Sequence, residues 1–301
     1  MKVFDLEFRL EIGAVADVDV SPRGEFASIQ GSPSEQVLMI DDRRVALPGD
    51  WVPPDYAFVR WLHDGRLLVS NSSFARPELR RAWILNVAPG ANEGRVEASF
   101  DIGSAVVDVL PLWKMIAVAH HPSSARQNGH LVEPAQRSGI AFYDLQGRLL
   151  MGLNHELQAH GLSIDNVRCA TRISKTEMIL IPERLSVAGQ EAKNPALVFD
   201  TATRRLETFS LPVAGSEAVC WSGRWLHLAS PFGYEDQIVT VDLVTRTSRP
   251  RGEFAGIFRG LDGGAFIAQF SPSHYVVVEP GEPELRVVDP PSAWGPGPQL
   301  A

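Results

Sequence analysis

Cysteine is nearly absent from this chain: Cys169 and Cys220 are its only two. Two residues cannot build a disulfide framework, and both sit in strand-like apolar contexts. Buried reduced thiols and a cytoplasmic location are therefore expected. Lysine is scarce as well. Lys2, Lys114, Lys175 and Lys193 are the only lysines among 28 basic residues, and no Lys/Arg run offsets a net charge of −8. That balance repels a phosphate backbone, so nucleic acid is not an expected partner. No apolar run approaches the roughly 18 residues of a spanning helix, so no membrane association is expected either. Val3 to Ile12 alternates apolar and charged residues where a secretory leader would carry an apolar core. Also missing are a Gly-x-Ser-x-Gly elbow, a phosphate-binding loop and a dinucleotide fingerprint. The common hydrolase, kinase and dehydrogenase classes thus have no support. Finally, no stretch shows a 3.6-residue apolar period, which argues against crossover helices and a parallel sheet.

What is present is a repeat. An apolar strand ends in an acidic or amide residue, a short turn follows, then an Arg and a more polar strand. The pattern reads Val37-Leu38-Met39-Ile40-Asp41 before Arg44, Trp83-Ile84-Leu85-Asn86 before Arg95, and Ile140-Ala141-Phe142-Tyr143-Asp144 before Arg148. It returns as Leu197-Val198-Phe199-Asp200 before Arg204, Ile238-Val239-Thr240-Val241-Asp242 before Arg246, and Tyr275-Val276-Val277-Val278-Glu279 before Arg286. The terminal acidic or amide positions are spaced 45, 58, 56, 42 and 37 residues apart, which brackets the roughly 40 to 50 residues of a four-stranded unit. A second hairpin precedes several copies, as in Val18 to Ile29 around Ser21-Pro22-Arg23-Gly24, Trp61 to Val69 around Gly65, Trp221 to Leu226 around Gly223, and Leu261 to Ile267 around Gly263. Gly supplies the positive φ of a tight turn. Two hairpins make four strands, here lettered a to d, per unit.

The segments Val198 to Arg204, Val241 to Arg246 and Ser21 to Gly24 resemble the blades of WD40, YVTN and TolB-type propeller repeats. The Gly-His and Trp-Asp dipeptides that are paired in WD40 blades do not occur as pairs, and Trp-Asp is absent altogether, so the resemblance is to the fold. It implies an all-β propeller of six four-stranded blades, with seven as the runner-up. Residues 1–289 would form this single domain, and the Pro/Gly-rich segment 290–301 a flexible tail. The alternating strand from Phe4 to Ile12 is left over before the first unit. Its expected role is to pair with the outer edge of the last blade and close the ring.

In such a fold the b–c and d–a loops share one face around the central channel. The long polar connections here, 71–81, 120–138, 153–163, 182–194 and 231–236, all fall on those positions, and long loops on a rigid scaffold are where function concentrates. Asn71, Phe74, Arg76, Arg80, His120, His121, His155, Arg184, Phe232 and Tyr234 are the candidate binding residues of this rim, and a protein or peptide is the expected ligand. The function this implies is a binding module or scaffold without a cofactor. The alternative is a metal-assisted, lactonase-like hydrolase or lyase using a divalent ion such as calcium or zinc in the channel. His120, His121 and His155 are candidate ligands on the rim, with Asp165 or Asn166 nearby, while Asp17, Asp19, Asp108, Asp165, Asn166 and Glu217 are candidates on first strands. No His-x-x-x-His or Cys-x-x-Cys spacing pins a metal, and the Glu-Gly-Pro opening of the propeller lactonases is missing.

Overall fold

A computed structural model describes residues 1–7, 15–32, 34–54, 56–73, 76, 78–103, 105–120, 139–164, 166–254, 256–271 and 274–281. The expected tail 290–301 and residues 8–12 of the alternating run lie outside the described residues.

The N-terminal strand β1 (Lys2–Glu7) joins a sheet made with the end of the chain. The first contiguous sheet runs β2 (Val15–Val20), β3 (Phe26–Ser32), β4 (Glu35–Ile40) and β5 (Arg43–Val45). The second runs β6 (Tyr56–Trp61), β7 (Leu67–Ser72), β8 (Arg81–Asn86) and β9 (Arg95–Asp101). The third comprises β10 (Val106–Pro111), β11 (Met115–His120), β12 (Ile140–Asp144) and β13 (Leu149–Gly152). A short helix α1 (Leu153–Ala159) and strand β14 (Leu162–Ile164) follow. The next sheet is β15 (Val167–Arg172), β16 (Glu177–Pro182), β19 (Pro195–Asp200) and β20 (Leu206–Ser210), interrupted by β17 (Leu185–Val187) and β18 (Gln190–Glu191). Then come β21 (Ala218–Ser222), β22 (Trp225–Ala229), β23 (Gln237–Asp242) and β24 (Thr247–Glu253). The last sheet has the order β1, β27 (His274–Glu279), β26 (Ala265–Ser271), β25 (Ile257–Leu261). The N-terminal strand therefore pairs with the outermost strand of the last hairpin, where the alternating pattern led us to expect it.

Among the described residues, seven sheets stand where six units were expected. Six are four-stranded, and the seventh has three strands in the order β14–β17–β18. Its strands are only two or three residues long and arise inside connections read from sequence as loops. Such short segments carry too little alternation to register as strands. Ala188 and Gly189, at φ 49° and 82°, form the two-residue turn between β17 and β18, a conformation that requires positive φ at both positions. Likewise α1 falls in the expected loop 153–163. It buries Leu153 and Leu157, one i,i+4 pair, which is too little to show as a helical period.

The repeated acidic residue has a local job. The Oδ1 of Asp144 accepts hydrogen bonds from the backbone N–H of Gln146 at 3.0 Å and Arg148 at 2.8 Å. Asp200 and Asp242 do the same for Ala202 at 2.9 Å and Val244 at 2.8 Å. Each carboxylate thereby caps the turn between strands c and d. In the first a–b turn, Ser21 Oγ accepts from the N–H of Arg23 and Glu25, and Gly24 turns the chain at φ 85°.

By compactness the chain divides into two units. One comprises Asp5–Val167 with Gln269–Tyr275. Within it the first strands of successive sheets lie side by side, β2 on β6 and β6 on β10. Ile29, Leu38, Val59, Val69 and Trp83 fill the space between its first two sheets, and Leu68, Ile84, Ile116, Val118 and Tyr143 the next. The other unit comprises Met1–Phe4, Arg168–Ala268 and Val276–Ala301. There Ile179, Val219, Leu228 and Val239 make one core layer and Cys220, Ile238, Phe258 and Phe266 the next. Strand β25 crosses so close to β21 that a Cβ on Gly260 would lie 1.9 Å from the carbonyl oxygen of Val219, so only glycine fits.

Candidate functional site

In the unit of the first three sheets, one arginine gathers three first strands. Arg60, on β6, is only 4% exposed. Its guanidinium pairs with Asp17 on β2 and, at 3.0 Å, with Asp108 on β10. Its Nε donates to the carbonyl of Val109 at 2.9 Å. The carboxylates have second duties. Asp17 accepts from the backbone N–H of Val59 at 2.9 Å, Asp19 from that of Trp61 at 2.7 Å, and Asp108 from that of Val109 at 2.8 Å. Burial opposes the charge on Arg60, but Asp17, Asp108 and Asp19 outweigh it and raise its pKa above the ordinary value. Sequence reading had offered Asp17, Asp19 and Asp108 as metal ligands. Asp17 and Asp108 instead hold a buried cation, Asp17 and Asp19 bond the backbone of the next sheet, and Asp108 bonds that of its own strand. The available signal was Arg60 itself, a lone charge in the apolar run Ala57 to Trp61, with first-strand acids one unit before and after it.

The expected rim residues in this unit divide. Asn71 is the fifth residue of β7 rather than a loop residue and is buried. Its amide donates to the Val52 carbonyl at 3.3 Å and accepts from the Arg81 N–H at 2.9 Å, so it fastens backbone and offers no surface. His120 is the buried last residue of β11, opposite Val106. It shares the side of that strand with Ile116 and Val118, because side chains two residues apart in a strand face the same way. Arg76 holds a loop by donating to the Pro53 carbonyl at 2.9 Å, and Arg80 pairs with Asp101 at 2.7 Å. His155 is exposed on α1. Phe74, His121 and Asp165 lie outside the described residues. Among the described residues, no three His, Cys, Asp or Glu side chains are grouped so as to hold a metal ion.

In the other unit the expected residues come to the surface. Phe232 is 55% and Tyr234 39% exposed, both on the connection between β22 and β23. That connection is tightly braced. The Phe232 N–H donates to the Ala214 carbonyl at 2.8 Å, the Tyr234 N–H to Pro231 at 2.8 Å, and the Ser230 N–H to Gln237 at 2.8 Å. The N–H of Phe254 donates to the Asp236 carbonyl. Gly215 makes room for the Phe232 ring, since a Cβ there would come within 2.6 Å of it. The guanidinium of Arg168 stacks on the ring 4.7 Å from its centre and pairs with Glu183 at 3.4 Å. Arg184 stands nearby in sequence, exposed, 3.9 Å from Glu191. The result is two aromatic side chains held outward by backbone hydrogen bonds.

Selenomethionine-substituted virginiamycin B lyase from Staphylococcus aureus is similar in structure, with a TM-score of 0.50 at 10% sequence identity, covering 92% of this chain and 98% of that one. A catalytically inactive variant of the same enzyme, with quinupristin, has the same identity and coverage at a TM-score of 0.49. The fold is of the β-propeller type. No protein-family model and no curated protein matches the sequence, so none of the propeller repeat families is singled out.

One buried group of this propeller fold escaped the sequence reading. His227, in β22, is fully buried, with one ring nitrogen 2.8 Å from Ser222 Oγ and the other 2.7 Å from Thr240 Oγ1. Burial, reinforced by the charge of Arg251, lowers its pKa to about 4. A neutral ring donating from one nitrogen and accepting at the other satisfies this geometry. The two buried thiols, Cys169 and Cys220, form no disulfide, and burial raises the pKa of Cys220. No helix among the described residues is long and apolar enough to cross a membrane.

Proposed function

We propose that this chain is a propeller-type binding module that engages a protein or peptide on the loops between strands b and c and between d and a. In this reading the six four-stranded sheets are the blades, and the β14–β17–β18 sheet is an insertion built from two of their loops. One observation carries the reading: Phe232 and Tyr234 stand exposed on a loop whose conformation is held by backbone hydrogen bonds. Aromatic anchors bind best when little side-chain or loop entropy remains to be lost. The two buried cysteines and the absence of a disulfide among them fit a reducing, cytoplasmic setting.

The competing reading, a metal-assisted hydrolase or lyase, rests on first-strand carboxylates. Against it, one oxygen of each of Asp17, Asp19 and Asp108 already accepts from a backbone N–H, and the Arg60 cation lies against Asp17 and Asp108, where it would repel a metal ion. The likeness to virginiamycin B lyase is one of fold and does not reverse that.

The test is affinity purification of a partner with wild type, Phe232→Ala, Tyr234→Ala and a control, Trp113→Ala, on the exposed turn between β10 and β11. The reading requires that the two loop variants lose the partner at unchanged melting temperature while the control keeps it. Retention of the same partners by both loop variants overturns it.

A further inference from the structure

The loops around Phe232 and Tyr234 share an unusual composition. Glu235 and Asp236 follow the two aromatics directly, and both are exposed. Glu217 is exposed, and its N–H donates to the carbonyl of Ala229 at 3.0 Å, which places it beside the start of the same loop. Glu253 is exposed opposite Gln237 in the β23–β24 ladder, next to Asp236. Ile257, 71% exposed, begins β25 just beyond Phe254, whose N–H is bonded to Asp236. One lip of this unit therefore carries three exposed apolar side chains among four exposed carboxylates. The cation in contact with Phe232, Arg168, is already matched by Glu183.

Acidic residues on a surface are usually just solvated, and exposed apolar residues usually occur singly. Their combination here is different: Glu235 braces the loop by accepting from the Gly233 N–H at 3.2 Å, and Phe232 and Tyr234 stay exposed beside it. A partner carrying cations on a partly apolar chain would use both. Its Lys or Arg groups would meet the four carboxylates, and its apolar stems would lie on Tyr234 and on the part of the Phe232 ring that Arg168 leaves exposed. An acidic partner or a nucleic acid would meet like charge, in a chain whose net charge is already −8.

We infer that this lip takes a basic peptide segment of a partner protein, with Phe232 and Tyr234 as anchors and Glu217, Glu235, Asp236 and Glu253 as charge partners. The inference rests on the binding reading above and names the chemistry of its ligand. Charges at such a lip should govern approach and salt dependence, while the aromatics should govern residence.

Three pools of short fluorescent peptides test it, sharing randomised apolar positions and differing only in fixed Arg/Lys, Asp/Glu or Ser/Gln positions. Binding is measured by anisotropy at low and high salt. The basic pool should bind wild type, and Phe232→Ala should weaken it about thirtyfold, as loss of a central aromatic does. The triple variant Glu235→Gln, Asp236→Asn, Glu253→Gln should weaken it roughly tenfold at low salt and little at high salt, where screening already acts within about 8 Å. Tyr234→Ala serves as a second anchor variant should Phe232→Ala melt early. If the uncharged or acidic pool binds equally and responds to Phe232→Ala but not to the triple variant, the basic inference fails and the binding reading stands. Equal binding of all pools to wild type and every variant overturns both. Failure of the basic pool to bind wild type overturns the inference, leaving the binding reading to the purification experiment.

Discussion

His227 shows what a single side chain can reveal at the residue scale. Its ring bridges Ser222 and Thr240 across three strands of one sheet, and it stays neutral because a charge there would be unsolvated. The folded pKa is about 4 against an ordinary 6.5. Below 6.5 the unfolded chain takes up a proton that the folded chain refuses. The contribution of His227 to stability is therefore complete above pH 6.5 and lost as pH falls toward 4, by about 3 kcal/mol in full. Urea denaturation from pH 7.5 to 4.5 should show this loss, and His227→Gln should flatten it. An unchanged slope in the variant would remove His227 as the cause. Asp242, held down to about 2 chiefly against its own burial by the hydrogen bond from Arg224, loses its contribution only below its ordinary 3.8, a separate window. The residue scale also explains two failed expectations. Asn71 and His120 read as polar loop positions, yet each extends a strand into a buried site, because the neighbouring sheets supply cover that no local pattern reports.

At the scale of elements, the hairpins were legible and their contacts were not. Asp144, Asp200 and Asp242 cap turns two to four residues away, so spacing alone announced them. Arg60 reaches partners 43 and 48 residues away, and only the stacking of β2, β6 and β10 brings these together. Removing the cation leaves Asp17 and Asp108 facing each other at a partly buried site. Arg60→Met should cost about 3–5 kcal/mol in urea unfolding. Arg60→Lys should recover only part of that, since a compact ammonium lacks the extended planar fork by which Nε, Nη1 and Nη2 each reach a different acceptor. Full recovery by Lys would mean that charge alone matters and that the three-way geometry does not. A Met variant as stable as wild type would mean that Arg60 ties nothing together.

For the molecule as a whole, β1 matters most. It comes from the first residues and pairs with β27 from the last hairpin, so the final sheet has four strands only because both ends of the chain supply it. Deleting residues 1–7 should bare the edge of β27. The melting temperature should drop by several degrees, and light scattering should reveal association through the open edge. A truncated protein that melts and stays dispersed like the full chain would show that β1 is dispensable.

Sequence alone determined the all-β class, the repeating four-stranded unit and its Asp-capped turns, and the place of the N-terminal strand, because each rests on short-range alternation and turn chemistry. It also placed Phe232 and Tyr234 on an exposed loop. Tertiary structure decided the rest: that Asp17, Asp19 and Asp108 belong to Arg60 and to backbone, that Asn71 and His120 are buried, and that loop segments assemble a seventh sheet. It also decided that carboxylates from three separate segments gather around the two aromatics. The physical reason is common to all four. Burial and pairing depend on which sheets stack, and stacking joins residues whose separation along the chain leaves no periodic trace.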